Sequence, residues 1–258
     1  MHLQRNLRSL LDAWRFTRTG SVRSSILSVA AALSFAGCPG TDLIAQEKSV
    51  KPGINDSFKD AKVSDFVEKF EIESREVFQR REQIVAACEL KPGQIIADVG
   101  AGTGLFTRMF SSVVGKEGRV IAVDITKNFL DHIARTCREL DLRNVDTQLC
   151  SVDSVQLPVN SIDVAFICDT YHHFEFPTKT ATSIWQAMKP GGRLVVIDFK
   201  RVSGESTEWV MSHVRAGQEV FEQEITAVGF KRILDRKDLL KENYFLVFEK
   251  PDKSVPRN

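Results

Sequence analysis

Asp98-Val99-Gly100-Ala101-Gly102-Thr103-Gly104 is the stretch on which the fold turns. Three glycines at alternate positions separate a short apolar run, residues 94–99, from a helical run, residues 105–114. Glycine lets the backbone turn tightly there and lets a ligand approach without a Cβ in the way. A dinucleotide fingerprint, GxGxxG, needs its third glycine at position 105, where Leu105 stands. The spacing is GxGxG instead, with Asp98 two residues ahead of the first glycine. A carboxylate disfavours a pyrophosphate seated beside it at a helix N-terminus. It favours a ligand that brings positive charge.

Outward from this loop, strand and helix patterns alternate. On the N-terminal side, residues 74–90 predict a helix with Val77, Ile84, Ala87 and Cys88 on one side, stopped by Pro92-Gly93. On the other side a strand at 119–123 is followed by a helix at 128–140, with Phe129, Ile133, Cys137 and Leu140 spaced at three and four. Strands at 145–150 and 162–168 come next, then a helix at 178–188 halted by Lys189-Pro190-Gly191-Gly192. The run at 193–199 is nearly all apolar, as a strand buried on both faces is. A helix at 217–228 and strands at 230–235 and 244–249 complete the pattern. The alternation predicts an α/β, doubly wound, mostly parallel sheet. The loop between the last two strands is too short for a crossover helix, so they pair antiparallel.

Acids follow the strands. Asp124 ends the second strand, where its carboxylate can accept hydrogen bonds from both hydroxyls of a ribose. Asp153 follows the third and can accept from an adenine amine. Cys168-Asp169-Thr170-Tyr171-His172-His173-Phe174 follows the fourth, at the carboxyl edge where such sheets bind ligands. A cationic amino-acid group, a ribose and an adenine together describe S-adenosylmethionine.

Over residues 80–250 the chain resembles the class I S-adenosylmethionine-dependent methyltransferases. DVGAGTG matches the first motif of that family, Val120-Ile121-Ala122-Val123-Asp124 the second, and Met188-Lys189-Pro190-Gly191-Gly192 the turn before its fifth strand. The resemblance implies a Rossmann-like sheet of seven strands in order 3-2-1-4-5-7-6, the last antiparallel, with S-adenosylmethionine as cofactor. Position by position it implies that Gly100, Gly102 and Gly104 pack against the methionine part and that Asp98 orients its amino group. Asp124 would hold the ribose, Val152 and Asp153 would frame the adenine, and Asp169 would lie near the methionine end.

Methyl transfer from a sulfonium is an in-line displacement, in which a nucleophile is aligned and, where needed, deprotonated. It requires no metal, and none is predicted. His172 and His173 are the base candidates, since imidazole titrates near neutral pH. Being adjacent, they point in different directions, so at most one faces the methyl group. Tyr171 could lie beside the sulfonium, its ring face toward the charge. Trp209 and His213 share a face if their segment is helical, and with Arg215 they form a candidate site for an anionic or polar aromatic acceptor. Phe66, Phe70 and Phe78 mark an N-terminal helical lid, residues 61–90, before a core at 91–250 of a domain spanning 61–258. Arg80 and Arg81 are the cations considered for the cofactor carboxylate. The reading is a methyltransferase acting on a small molecule. Protein methylation, carboxyl methylation included, and non-catalytic cofactor binding stay open beside it.

The N-terminal segment has another character. Residues 1–24 carry five arginines against one aspartate, a balance of +4, before the uncharged Ile26-Leu27-Ser28-Val29-Ala30-Ala31-Ala32-Leu33-Ser34-Phe35-Ala36-Gly37 and then Cys38. A positive region, a short apolar run and small residues predict a signal segment over residues 1–40. Phe35-Ala36-Gly37-Cys38 resembles a lipobox, which would acylate Cys38 and attach the chain to a membrane. Residues 41–60 read as a linker. The expected location is exported, periplasmic or membrane-anchored, or cytoplasmic if the segment is not a working signal. Without residues 1–24 the remaining 234 of the 258 residues hold 30 basic and 33 acidic side chains. A body so near neutrality has no surplus to condense onto phosphates, which excludes nucleic acid as the main partner. Cys88, Cys137, Cys150 and Cys168 are scattered and form no CxxC, which argues against a disulfide framework, a zinc site or an arsenite methylase.

Overall fold

The computed structural model describes residues 48–252. The predicted signal, Cys38 and the first part of the predicted linker lie outside the described residues. Three helices, α1 (Val63–Phe70), α2 (Glu76–Gln79) and α3 (Arg81–Ala87), precede β1 (Ile95–Val99). Then come α4 (Leu105–Val114), β2 (Arg119–Asp124), α5 (Lys127–Glu139), β3 (Val145–Leu149), β4 (Ile162–Cys168) and α6 (Pro177–Ala187). The chain continues through β5 (Met188–Phe199), α7 (Glu208–His213), α8 (Gln218–Val228), β6 (Lys231–Asp235) and β7 (Asn243–Glu249).

The seven strands form one sheet in the order β3-β2-β1-β4-β5-β7-β6, as the resemblance implies. Strands β1 to β5 pair parallel, and β7 lies antiparallel between β5 and β6. β1, β4 and β5 are buried on both faces, which is why they read as continuous apolar runs. One core layer gathers Ile167, Leu194, Val196, Phe221 and Phe248, and the other Ile84, Phe110, Phe166, Val195 and Phe245.

Two boundaries differ from the sequence expectation. The helix predicted over 74–90 is two, because Arg80 leaves helical geometry at φ −100° and ψ 12°. The Lys189-Pro190-Gly191-Gly192 turn belongs to β5 itself: pairing to β4 starts at Met188 and shifts register between Ile162 and Val164. Gly191, at φ +75°, absorbs that irregularity while its N–H donates to the Lys250 carbonyl. Residues 49–58, within the predicted linker, are no free tether. The Val50 N–H donates to the Glu175 carbonyl, Asn55 Nδ2 donates to the His173 carbonyl, and Lys51 Nζ donates to the His213 carbonyl at 2.6 Å.

Candidate active site

The carboxyl ends of β1, β2 and β4 open into a cavity of about 600 Å³. Its floor is the glycine loop. Gly100 sits at φ +74°, where a Cβ would stand 2.2 Å from Thr170 Cγ2. Gly100→Ala thus combines a left-handed backbone with a steric overlap. It is expected to destabilise the protein by at least about 2 kcal/mol in chemical denaturation. Gly102, at φ +54°, meets nothing closer than the Phe70 ring at 3.6 Å, so the space above it is open to a ligand. Gly104 is not on the cavity wall. Its missing Cβ makes room for Ile133 Cγ1, 2.6 Å from where that atom would be, and so lets α4 start against α5.

Three acids converge at this end. Asp98 is 3% exposed and accepts a hydrogen bond from Thr107 Oγ1 at 2.5 Å. Burial, helped by the nearby charge of Asp124, pushes its pKa up to about 7. Asp124 accepts from the Gly102 N–H at 2.9 Å and from the Thr126 N–H at 2.8 Å, so it braces the loop as well as lining the cavity. Burial raises its pKa too. Asp169, at φ +49°, pairs with Arg75 and accepts from Asn243 Nδ2 at 2.6 Å. Burial raises its carboxyl, against the opposing pull of Arg75.

Arg75 lines the cavity, as does Lys69, and its guanidinium lies over the Phe70 ring, 5.1 Å from its centroid. Arg81 instead stacks on Phe78 and donates to that residue's carbonyl. Neither it nor Arg80 reaches the cavity wall. No local signal distinguished Arg75 from them in the sequence. The cavity's roof is the N-terminal segment: Phe58, Phe66 and Phe70 stand above Phe129, with Phe66 and Phe129 edge to face at 5.3 Å. Glu71, just after α1, fastens this roof to the loop, accepting from both Arg108 and Thr103 Oγ1 at 2.8 Å.

Val152 lines the cavity beside Cys150, Ser151, Ser154 and Val155. Asp153 does not. Its carboxylate turns back to accept from Ser151 Oγ at 2.8 Å, so it is not part of the cavity wall. At the opposite end a short 3-10 turn, Tyr171–His173, follows β4. Its period of three sends neighbouring side chains in different directions. Tyr171 goes into the core against Phe174 and Phe221 and is absent from the wall, which removes it from the sulfonium position. His172 and His173 both line the cavity.

His172 is 1% exposed, its Nδ1 is 2.7 Å from Asp198 Oδ1, and its N–H donates to Asp198 Oδ2. Burial, then the neighbouring imidazoles and Lys51, holds His173 neutral with a pKa down to about 2. The segment around Trp209 is helical as expected, and Trp209 stacks on His213 at 4.6 Å and 18°. Both line the cavity, whereas Arg215 is turned away. It is held by Glu224 through two hydrogen bonds of 2.8 and 2.6 Å and lies over Phe221. Asp198, Asn243 and Phe58 were missed in the sequence because nothing local marks them.

The residues present fit S-adenosylmethionine. A buried acid drawn toward neutrality asks for a cation, the surface above Gly102 is free of side chain, and Arg75 supplies a partner for a carboxylate. Comparison with known proteins agrees. Residues 97–196 match the family model described as a methyltransferase domain. The ubiquinone/menaquinone biosynthesis C-methyltransferase UbiE of Hydrogenovibrio crunogenus is 30% identical over 115 residues, 44% of this chain and 45% of the relative. The enzyme of that name from Vibrio cholerae is 33% identical over 112 residues, 43% of each chain. The chain thus spans half or less of the length of these curated relatives. A crystal structure of a SAM dependent methyltransferase from Aquifex aeolicus superposes with a TM-score of 0.65 at 23% identity, over 74% of this chain and 99% of that one. Residues 97–196 are therefore similar to a methyltransferase domain, in a chain with the fold of a solved S-adenosylmethionine-dependent methyltransferase.

Proposed function

We propose that this chain transfers a methyl group from S-adenosylmethionine to a small-molecule acceptor with an apolar, ring-shaped body. The observation that carries this is one continuous cavity with acids and a glycine loop at one end and aromatic rings and histidines at the other. The similarity to enzymes named for methylating carbon in ubiquinone and menaquinone biosynthesis supports a ring acceptor.

Bound in the cavity, the cofactor supplies an electrophilic methyl group on a sulfonium. Asp98 takes the amino group, Arg75 the carboxylate and Asp124 the ribose hydroxyls. The aromatic roof of Phe58 and Phe66 excludes water and orients the acceptor's ring, which contributes by positioning. The imidazoles at the far end, with His172 held through Nδ1 by Asp198, face the acceptor's polar group. Export, with anchoring through Cys38, belongs to the same proposal and is tested by fractionating cells that make the full chain.

The deciding experiment is calorimetry of the full-length protein with S-adenosylmethionine, followed by labelled methyl transfer to a panel of hydroquinones, phenols and an unfolded protein mixture. Micromolar binding with transfer to a small ring compound supports the proposal. Transfer to protein alone, or no binding by folded protein, overturns it.

A further inference from the structure

Three imidazoles meet at the acceptor end of the cavity. His172, His173 and His213 each offer a ring nitrogen, and these lie within 4.8 Å of one another. Nε2 of His173 and Nε2 of His213 are 3.3 Å apart. That is about the edge of a tetrahedron whose metal–nitrogen bonds are about 2.0–2.1 Å. The third ring is prepared as well. Asp198, fully buried, faces His172 Nδ1 and also accepts from two backbone N–H groups, those of His172 and Phe199. A carboxylate on one ring nitrogen fixes the tautomer and leaves the other nitrogen's lone pair free, the arrangement that orients metal-bound histidines. His172 Nε2 is buried with no hydrogen-bond partner among the described residues.

The scaffold around the cluster is rigid. His172 and His173 sit in the 3-10 turn after β4, and His213 ends α7, which is N-capped by Thr207. Lys51 and Arg201 tie down the end of α7 through the carbonyls of His213 and Met211. Aromatic rings wall each imidazole: Phe199 on His172, Phe58 on His173 and Trp209 on His213. A hydrogen-bonded relay would need partners for every buried ring nitrogen, and His172 Nε2 and His173 Nδ1 have none among the described residues.

We propose that His172, His173 and His213 bind one first-row divalent cation of the Zn2+ type, with its remaining coordination position open to the cavity. Three imidazole ligands without a carboxylate suit Zn2+, Co2+ or Ni2+ and not Mg2+ or Ca2+. Three protein ligands with an open fourth position is the pattern of a site that takes up a substrate group. The sequence predicted no metal because its cysteines are scattered; here the ligands are histidines brought together from two segments about 40 residues apart. The ion's role, to take a heteroatom of the acceptor, rests on the methyltransferase reading. Its binding does not.

The test is titration of the tag-free, full-length protein with Co2+ in the absence of S-adenosylmethionine. Expected are one ion per chain, the visible absorption of four-coordinate Co2+, displacement by Zn2+ and indifference to Mg2+. His213→Gln, at a partly exposed position, is expected to weaken binding by at least about 100-fold. Asp198→Asn is expected to weaken it by about 10–100-fold. Circular dichroism confirms that each variant is folded. Absence of Co2+ binding, or binding that His213→Gln leaves unchanged, overturns the site. Calorimetry with S-adenosylmethionine in chelator separates the two readings. Cofactor binding without Co2+ binding removes only the metal site, and Co2+ binding without cofactor binding removes only the methyltransferase reading.

Discussion

Asp98→Asn is expected to make the protein more stable and to abolish useful cofactor binding. The carboxyl is buried with a pKa raised to about 7, against an ordinary value of 3.8. A group whose folded pKa lies above its unfolded one favours folding while protonated and loses that contribution as pH rises through the folded value. Above pH 7 the native state therefore holds a charge that burial opposes, and relief of that charge by the neutral amide amounts to on the order of 2–4 kcal/mol at pH 8, falling toward zero near pH 4. For a domain of this size that is a rise in melting temperature of about 5–10 °C. Thr107 can still donate to the amide oxygen. The same change leaves a bound ammonium without its counter-charge, and S-adenosylmethionine should bind at least about 100-fold more weakly, in line with loss of a buried charged pair. Thermal melts at pH 8 and pH 5, beside calorimetry, decide it. A variant melting lower at pH 8, or binding as the wild type does, would refute this account.

The pH dependence of binding follows from the same carboxyl. An ion pair needs Asp98 ionised, which favours pH above about 7, and the cofactor's α-amino group protonated, which favours pH below about 8. Affinity should peak between those values and fall by up to about tenfold per unit on the acid side. Asp98→Asn should flatten the acid limb.

Asp124→Asn should instead cost both stability and binding. Each carboxylate oxygen of Asp124 accepts from a backbone N–H, that of Gly102 on one side and Thr126 on the other. An amide has one oxygen, so its NH2 group must face one of those donors and leave it unpaired in a buried place. That costs about 1–3 kcal/mol, and the loss of an acceptor for ribose adds a similar amount to the binding deficit. Chemical denaturation and calorimetry should both move the same way. Opposite signs of stability change in the two aspartate variants, with binding lost in both, separate the acid that holds the ligand from the acid that also holds the loop.

The parts of this molecule that sequence made legible are those whose cause is local. The sheet follows from apolar runs punctuated by helices, and the glycine loop with Asp98 and Asp124 carries its reason within a few residues. Contacts closed by topology left no trace. Arg75 meets Asp169 across 94 positions, Asn243 reaches that same carboxylate across 74, and Asp198 lies 26 from the histidine it holds. Tyr171 and Arg215 were misplaced for a related reason. Proximity in sequence to His172 and His213 says nothing of direction when a tight turn rotates each residue away from the last. Asp153 likewise found its partner in its own loop.

The position of β7 has a consequence for how the protein comes into being. This strand, the last of the described fold in chain order, is inserted between β5 and β6, and its first residue, Asn243, donates to Asp169. A nascent chain without it presents β5 with a bare, apolar edge, which invites wrong partners. A truncation that removes β7 and its approach should therefore yield an aggregating protein and not a weakened one.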